Sequence, residues 1–355
     1  MLTSPPMRYG LLFLFVLLGL AGYAQIGGSS GQAFLNQVTS ARVAGQGSNA
    51  IANPENDLNF ALYNPALLRP EMHGQFTTSI VDFPSDILLG DIAYAHNFDS
   101  LGTFFLRAVF MDYGTFDRTN TIGQKLGTFT AADYAFSLGY SYAIDSNWRL
   151  GAQLVNAHSQ YEQFNAWSLS ADLGLVYHVP HKRIAVALLA KNIGFQAAAF
   201  AEERESLPFE LQLAFSNRFA HLPLRWQITY EHLETWDLRY RDPNAVTVNQ
   251  FTGEVDDNFP SIWNNLLRHL VLGLEFAPSR SFNLQFGYSF RRRQELNLAT
   301  RRTAAGFSFG GGIRISKFYL SYSRNTYHIA GTANQITLAT DFQSFRRKPP
   351  SNESH

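Results

Sequence analysis

Between positions 281 and 290 the chain reads SFNLQFGYSF. Phe282, Leu284, Phe286, Tyr288 and Phe290 take every second place, and Ser281, Asn283, Gln285, Gly287 and Ser289 fill the gaps. A period of two sends successive side chains to opposite faces of a β-strand, so this strand has one apolar and one polar face. In a soluble sandwich the apolar face packs against a second sheet. In an outer-membrane barrel it points outward into lipid and the polar face lines the lumen.

The same pattern recurs along the chain. It predicts strands at 74–83, 87–98, 101–112, 128–144, 147–159, 164–178, 183–194, 206–219, 222–235, 266–277, 280–291, 302–315, 317–326 and 332–342, fourteen in all. In 222–235, Leu224, Trp226, Ile228, Tyr230 and His232 share one face, and Arg225, Gln227, Thr229 and Glu231 share the other. The connections sort by parity. Every even-numbered one is a tight turn, whereas links such as 113–127 and 236–265 are long. Short turns at one end and long loops at the other belong to an outer-membrane barrel, with turns periplasmic and loops extracellular. Strands of ten residues or more also match the roughly 9–11 tilted residues that cross a bilayer. Tyr94, Tyr113, Tyr134, Trp148, Tyr230, Trp236, Tyr288 and Tyr322 are then candidates for the interfacial aromatic girdles.

Composition points the same way. Lys+Arg and Asp+Glu both number 28, so net charge gives no pull toward nucleic acid. Aromatic residues are 14% and charged residues only 16%, against a usual charged share of about 25%. The mean hydropathy of −0.13 suits a barrel, in which half of each strand is polar. With no cysteine, disulfides and thiolate metal sites are excluded.

The first residues read as an export signal. Arg8 supplies the positive region, LLFLFVLLGL at 11–20 the apolar stretch, and Gly22-Tyr23-Ala24 the small residues before a cleavage site at Gln25. Ten apolar residues are too few for a membrane-spanning helix, which needs about 20. The expected plan is a signal peptide at 1–24, a plug or hatch at 25–72, a transmembrane barrel at 73–345 and a polar tail at 346–355. The fold class expected is all-β: a 14-stranded antiparallel outer-membrane β-barrel with an N-terminal plug segment, integral to the outer membrane.

Chemical motifs are weak. GGSSG at 27–31 fits the G-x-S-x-G pattern but lacks the strand and helix that a nucleophile elbow needs. GQGSNA at 45–50 fits a loose dinucleotide fingerprint with no strand before it, and reads as plug backbone. His178 and His181 flank a turn without a third ligand nearby. Asp82, Asp86 and Asp91 read as loop and lumen charges. No enzyme activity, cofactor or metal is expected.

Two surface features remain. Arg291, Arg292, Arg293, Arg301 and Arg302 gather around the 11–12 loop, and either contact lipopolysaccharide phosphates or an acidic partner, or simply anchor the barrel. In the long loop 236–265, Trp236, Tyr240, Phe251, Asp256, Asp257, Phe259 and Trp263 either dock a protein partner or cap the pore.

Longer stretches carry a resemblance. IGGSSGQAFLNQVTSARVAGQG, FALYNPALLRPEMHGQ, RHLVLGLEFAPSRSFNLQFGYSFRRRQEL and GGIRISKFYLSYSRNTYHIAGTAN look like the PorQ family, outer-membrane components of the type IX secretion system of Bacteroidetes. The resemblance runs from about Ile26 to Phe345. The Asn64-Pro65-Ala66 motif and the plug-plus-fourteen-strand plan also resemble the wider FadL-like barrels. The resemblance implies a non-enzymatic role: anchoring a PorZ-like surface protein in an attachment complex with a PorU-like sortase and a PorV-like shuttle. The FadL side of it implies instead a channel for uptake of hydrophobic small molecules. A soluble secreted β-protein is the third reading. No residue role carries over from the family. The chain ends SFRRKPPSNESH rather than on a terminal Phe, and Phe342 and Phe345 are the nearest candidates.

Overall fold

A computed structural model of the chain describes residues 30–200, 203–239, 247–248, 255–256, 260–296, 304–328 and 331–345. The signal stretch and the polar tail expected from sequence lie outside these. Fourteen antiparallel strands close into one barrel. They are β1 (Gln75–Asp82), β2 (Leu88–Phe98), β3 (Gly102–Thr119), β4 (Lys125–Ala143), β5 (Trp148–Tyr161), β6 (Phe164–Val179) and β7 (Ile184–Ala198). The second half is β8 (Glu210–Arg218), β9 (Leu224–Tyr230), β10 (Leu270–Ser279), β11 (Phe282–Ser289), β12 (Phe307–Ile315), β13 (Phe318–His328) and β14 (Gly331–Asp341). Each strand pairs with its neighbours in sequence, and β1 pairs with β14 from Gln75↔Asp341 to Asp82↔Asn334 to close the ring.

The opening stretch shows which face meets water. In β11, Leu284 is 47% exposed while Asn283 and Gln285 are 6% and 4% exposed. The polar face is the buried one. The same inversion puts Ile80, Ile92, Leu106, Phe136, Leu154 and Ile336 outside and Thr77, Ser79, Gln153, Gln227 and Thr337 inside. A continuous apolar exterior on a closed barrel satisfies every backbone group within the ladder and needs hydrocarbon around it. The protein is therefore an integral outer-membrane barrel, with its short turns periplasmic and its longer connections outside. No helix among the described residues is long and apolar enough to cross a membrane.

Several expectations are corrected. The 113–127 link is mostly ladder: β3 and β4 stay paired up to Thr119↔Lys125, so a hairpin projects beyond the wall. The strand expected over 280–291 ends at Ser289. There the Ser289 hydroxyl accepts from the amide of Arg292 and caps a short helix, Phe290–Glu295. Likewise 266–268 belongs to a helix, Ile262–Arg268, capped by Ser261, and β10 starts at Leu270. His232 does not extend the outward face of β9, which stops at Tyr230; it turns back with φ 57° toward Glu234. Tyr113 is no girdle residue, because its hydroxyl donates to Asp133 at 2.6 Å inside the barrel. Side-chain hydrogen bonds of Ser289, Ser261, His232 and Tyr113 mark the last four of these positions, and periodicity does not register them.

Candidate functional site

A barrel of this size encloses more space than its own inward side chains fill. Residues 30–74 run through that space from the extracellular to the periplasmic end. At the top Ser30 bridges Ser206 in the β7–β8 connection. Gln32 Nε2 donates to Ser159 Oγ at 3.1 Å, and Phe34 packs among Val81, Leu89, Met111 and Val155. The Asn36 side chain accepts from Lys191 Nζ at 3.1 Å and from Asn192 Nδ2 at 2.8 Å.

Charged side chains lock the middle. Thr39 Oγ1 donates to Asp91 Oδ2 at 2.7 Å, and Arg107 Nε donates to the same oxygen at 2.9 Å. The Tyr63 hydroxyl accepts the amides of Thr39 and Ser40 at 2.9 and 3.0 Å. Asp91 and Arg107 stand on β2 and β3, while Thr39 and Tyr63 belong to the luminal segment, so the cluster ties segment to wall. Arg42 does the same on the opposite side. Its guanidinium donates to Glu275 Oε1 of β10 at 2.8 Å, to Asp57 Oδ2 at 2.6 Å and to Glu55, with the Phe60 ring 4.9 Å away. Burial of charges like these is tolerated only when they are paired and hydrogen-bonded.

Two glycine pairs admit the backbone. Gly151 and Gly174 are cross-strand partners on β5 and β6. A Cβ at Gly151 would strike Ala66 N, and one at Gly174 would strike Asn64 Oδ1. Gly273 and Gly287 are cross-strand partners on β10 and β11, and a Cβ there would meet Gln46 or Gly47. The Asn64-Pro65-Ala66 motif thus sits in a notch. Its asparagine side chain accepts from Ala66 N at 3.1 Å and donates to Ile51 O at 2.8 Å, which fixes a buried 3-10 turn.

Below the segment, on the periplasmic side, lies a cavity of about 880 Å³ lined by Arg42, Asp57, Arg218, Arg314, Tyr319 and Asp341 among others. Further up, the wall itself has a step. β7 pairs with β8 only from Ile184↔Asn217 to Lys191↔Glu210, and its last seven residues, Asn192–Ala198, have no strand partner on that side among the described residues. The connection at 203–209 and residues Ser30–Asn36 back that step.

The residues singled out from sequence fall in different places. Trp236 and Trp263 are 65% and 73% exposed at the extracellular rim. Asp256 pairs with Thr247 through the backbone, whereas Tyr240, Phe251, Asp257 and Phe259 lie outside the described residues. Arg291 donates to Glu231 at 2.9 Å, Arg292 donates to Gly47 O at 2.5 Å, and Arg301 and Arg302 lie outside the described residues. His178 accepts from Arg69, His181 is exposed, and no group of three metal-ligating side chains occurs among the described residues. Asp91 is a luminal ion-pair partner, while Asp82 and Asp86 are exposed. Sequence reasoning missed Arg42, Arg107 and the paired glycines. The available signal for Arg107 and the glycines was charge or glycine at strand positions whose parity turns them inward, whereas Arg42 lies on a short helix of the luminal segment and has no strand parity to mark it.

No protein-family profile matches the chain, and no curated protein matches it. Among solved structures, a Pseudomonas aeruginosa FadL homologue aligns at 12% identity over 86% of this chain and 99% of its own, with a TM-score of 0.49. The Pseudomonas putida toluene transporter TodX aligns at 12% identity over 84% of this chain and 95% of its own, with a TM-score of 0.48. The KdgM porin aligns at 8% identity over 76% of this chain and 99% of its own, with a TM-score of 0.33. The fold assignment rests on this chain's own closed ladder.

Proposed function

We propose that the protein is a stoppered outer-membrane conduit for small hydrophobic molecules, with residues 30–74 as the moving part. The observation that supports this is a double role. The segment that runs inside the lumen also backs a step in the wall where β7 loses its β8 partner. Withdrawal of Ser30–Asn36 would open the lumen and the lipid-facing wall together, and the periplasmic cavity below already provides part of the path. The chain has no cysteine, so a single engineered disulfide between Ser30→Cys and Ser206→Cys is a clean test. Uptake of a hydrophobic fluorescent probe by cells carrying the oxidised variant should stop and return on reduction. Equal uptake in both states would sink the conduit.

A second reading is an anchor for an exported surface partner, the PorZ-like role implied by the sequence resemblance. Exposed Trp236 and Trp263 at the extracellular rim favour it, since aromatic anchors dominate protein hot spots. Affinity purification from gently solubilised outer membranes should recover a surface protein that the Trp236→Ala, Trp263→Ala double variant no longer holds. Recovery of the barrel alone would remove this reading.

A further inference from the structure

The periplasmic mouth carries guanidinium groups that its carboxylates do not neutralise. A second cavity, of about 540 Å³, opens between the β6–β7 and β8–β9 turns, and His178, Arg183, Arg218 and Arg225 line it. Arg225 is only 7% exposed, its Nε has no acceptor among the described residues, and its Nη2 meets Glu55 Oε1 at 3.4 Å. Glu55 is shared, since it also holds Arg42 and stands 4.0 Å from Arg218, and Glu275, opposite Arg225 on the ladder, is likewise held by Arg42. Arg183 donates to the carbonyl of Phe219 at 3.0 Å and has no ion pair among the described residues.

The layer behind offers no relief. Arg69 Nη2 lies 3.2 Å from His178 Nδ1, and the Arg69 Nε is buried without an acceptor among the described residues. A guanidinium only donates, so Nδ1 accepts and the neutral ring carries its proton on Nε2. Arg149 and Arg225 add positive charge around Arg69, with Glu71 opposing them from an exposed position. The Asp145 carboxylate accepts the amides of Asn147 and Trp148 in its own turn. The charged side chains that line the cavity, Arg183, Arg218 and Arg225, are therefore all donors. Such a wall is complemented by a group with several anionic oxygens in a compact shape, which guanidinium forks bind in bidentate fashion.

We propose that the periplasmic mouth binds a phosphate group between Arg183, Arg218 and Arg225. Phe219 and Leu222 line the same cavity and are exposed on the barrel rim. That neighbourhood suits the phosphate of an anionic lipid headgroup, and the three arginines alone suit a free phosphate.

The test uses the full barrel in neutral detergent. Native mass spectrometry with phosphatidylglycerol against phosphatidylcholine probes the lipid source, and calorimetric titration with inorganic phosphate probes the free one. The Arg183→Gln, Arg218→Gln double variant alters the two more exposed arginines, and heat-modifiable gel migration checks that it folds. The neighbouring Lys182→Gln variant serves as the charge control. Selective phosphatidylglycerol adducts that weaken about tenfold or more in the double variant and persist in the control support the lipid headgroup. The same loss for inorganic phosphate supports the free anion. Absence of binding by either probe, equal binding to the double variant, or equal weakening by Lys182→Gln would overturn the site.

Discussion

Gly151 and Gly174 face each other across the β5–β6 ladder, and the space where their side chains would be is filled by Asn64, Pro65 and Ala66. The wall and the luminal segment are complementary at backbone level there. A methyl group on either glycine has nowhere to go without moving the motif.

Substitution of that pair should therefore dislodge the segment while sparing the barrel. Gly174→Val is expected to cost about 1–3 kcal/mol through overpacking. It should also raise the conductance of the purified protein in planar bilayers. A variant with wild-type melting and no added conductance would show that the notch does not hold the segment.

Arg42 should be more sensitive than any surface arginine. Replacing it with methionine leaves Glu55, Asp57 and Glu275 facing one another with only Arg225 and Arg218 to share. Breaking a buried charge network from one side costs about 3–5 kcal/mol. Limited proteolysis should then cut within 30–74 before the barrel, and the added substitution Glu275→Gln should recover part of the loss. Undiminished protease resistance in Arg42→Met would count against the network.

The connection after β9 should loosen as pH rises. His232 Nδ1 lies 2.9 Å from Glu234 Oε1 and Nε2 lies 3.9 Å from Glu210 Oε1. Burial alone would lower the histidine's pKa. The Glu234 hydrogen bond and the charges of Glu210 and Glu231 outweigh burial and the opposing Arg291, so the net shift is upward. A raised folded pKa means that the stabilisation is complete below the ordinary value near 6.5 and disappears as pH climbs through the folded value. Glu234 also accepts the amide of Leu211, so that amide reports the change. Its hydrogen exchange, corrected for intrinsic rate, should accelerate as pH rises above about 6.5, and His232→Gln should flatten the dependence. An unchanged slope in that variant would assign the effect elsewhere.

The outward face should reject charge where the inward face accepts it. Leu284→Arg is expected to cost up to about 2–4 kcal/mol near the bilayer midplane. A substitution at the neighbouring inward Asn283 changes only its contacts with Tyr319 and Gln285. Refolding into liposomes by urea titration measures both, and a tolerated Leu284→Arg would contradict the lipid-facing assignment.

Much of this was legible in the order of residues. Alternation marks strands because the β period is two, and the sorting of turns and loops by parity reflects a single up-and-down path through a bilayer. Both are local properties of the chain. The helix at Phe290–Glu295 was not legible, because Phe290 continues the strand's alternation and the capping Ser289 fits its polar face. Nor was the depth of Asp91, since a carboxylate on a polar face reads the same whether it meets water or Arg107.

The sequence by itself determined that strands would alternate, that their number would be even, and that one face of each would be too apolar for water. Only the tertiary structure decided what occupies the lumen. Gly151 meets Asn64-Pro65-Ala66, and Arg42 meets Glu275 more than two hundred residues away, because closing the ring brings distant strands around one short segment. Those contacts depend on where the barrel's curvature puts each inward side chain, and no local pattern along the chain encodes that distance.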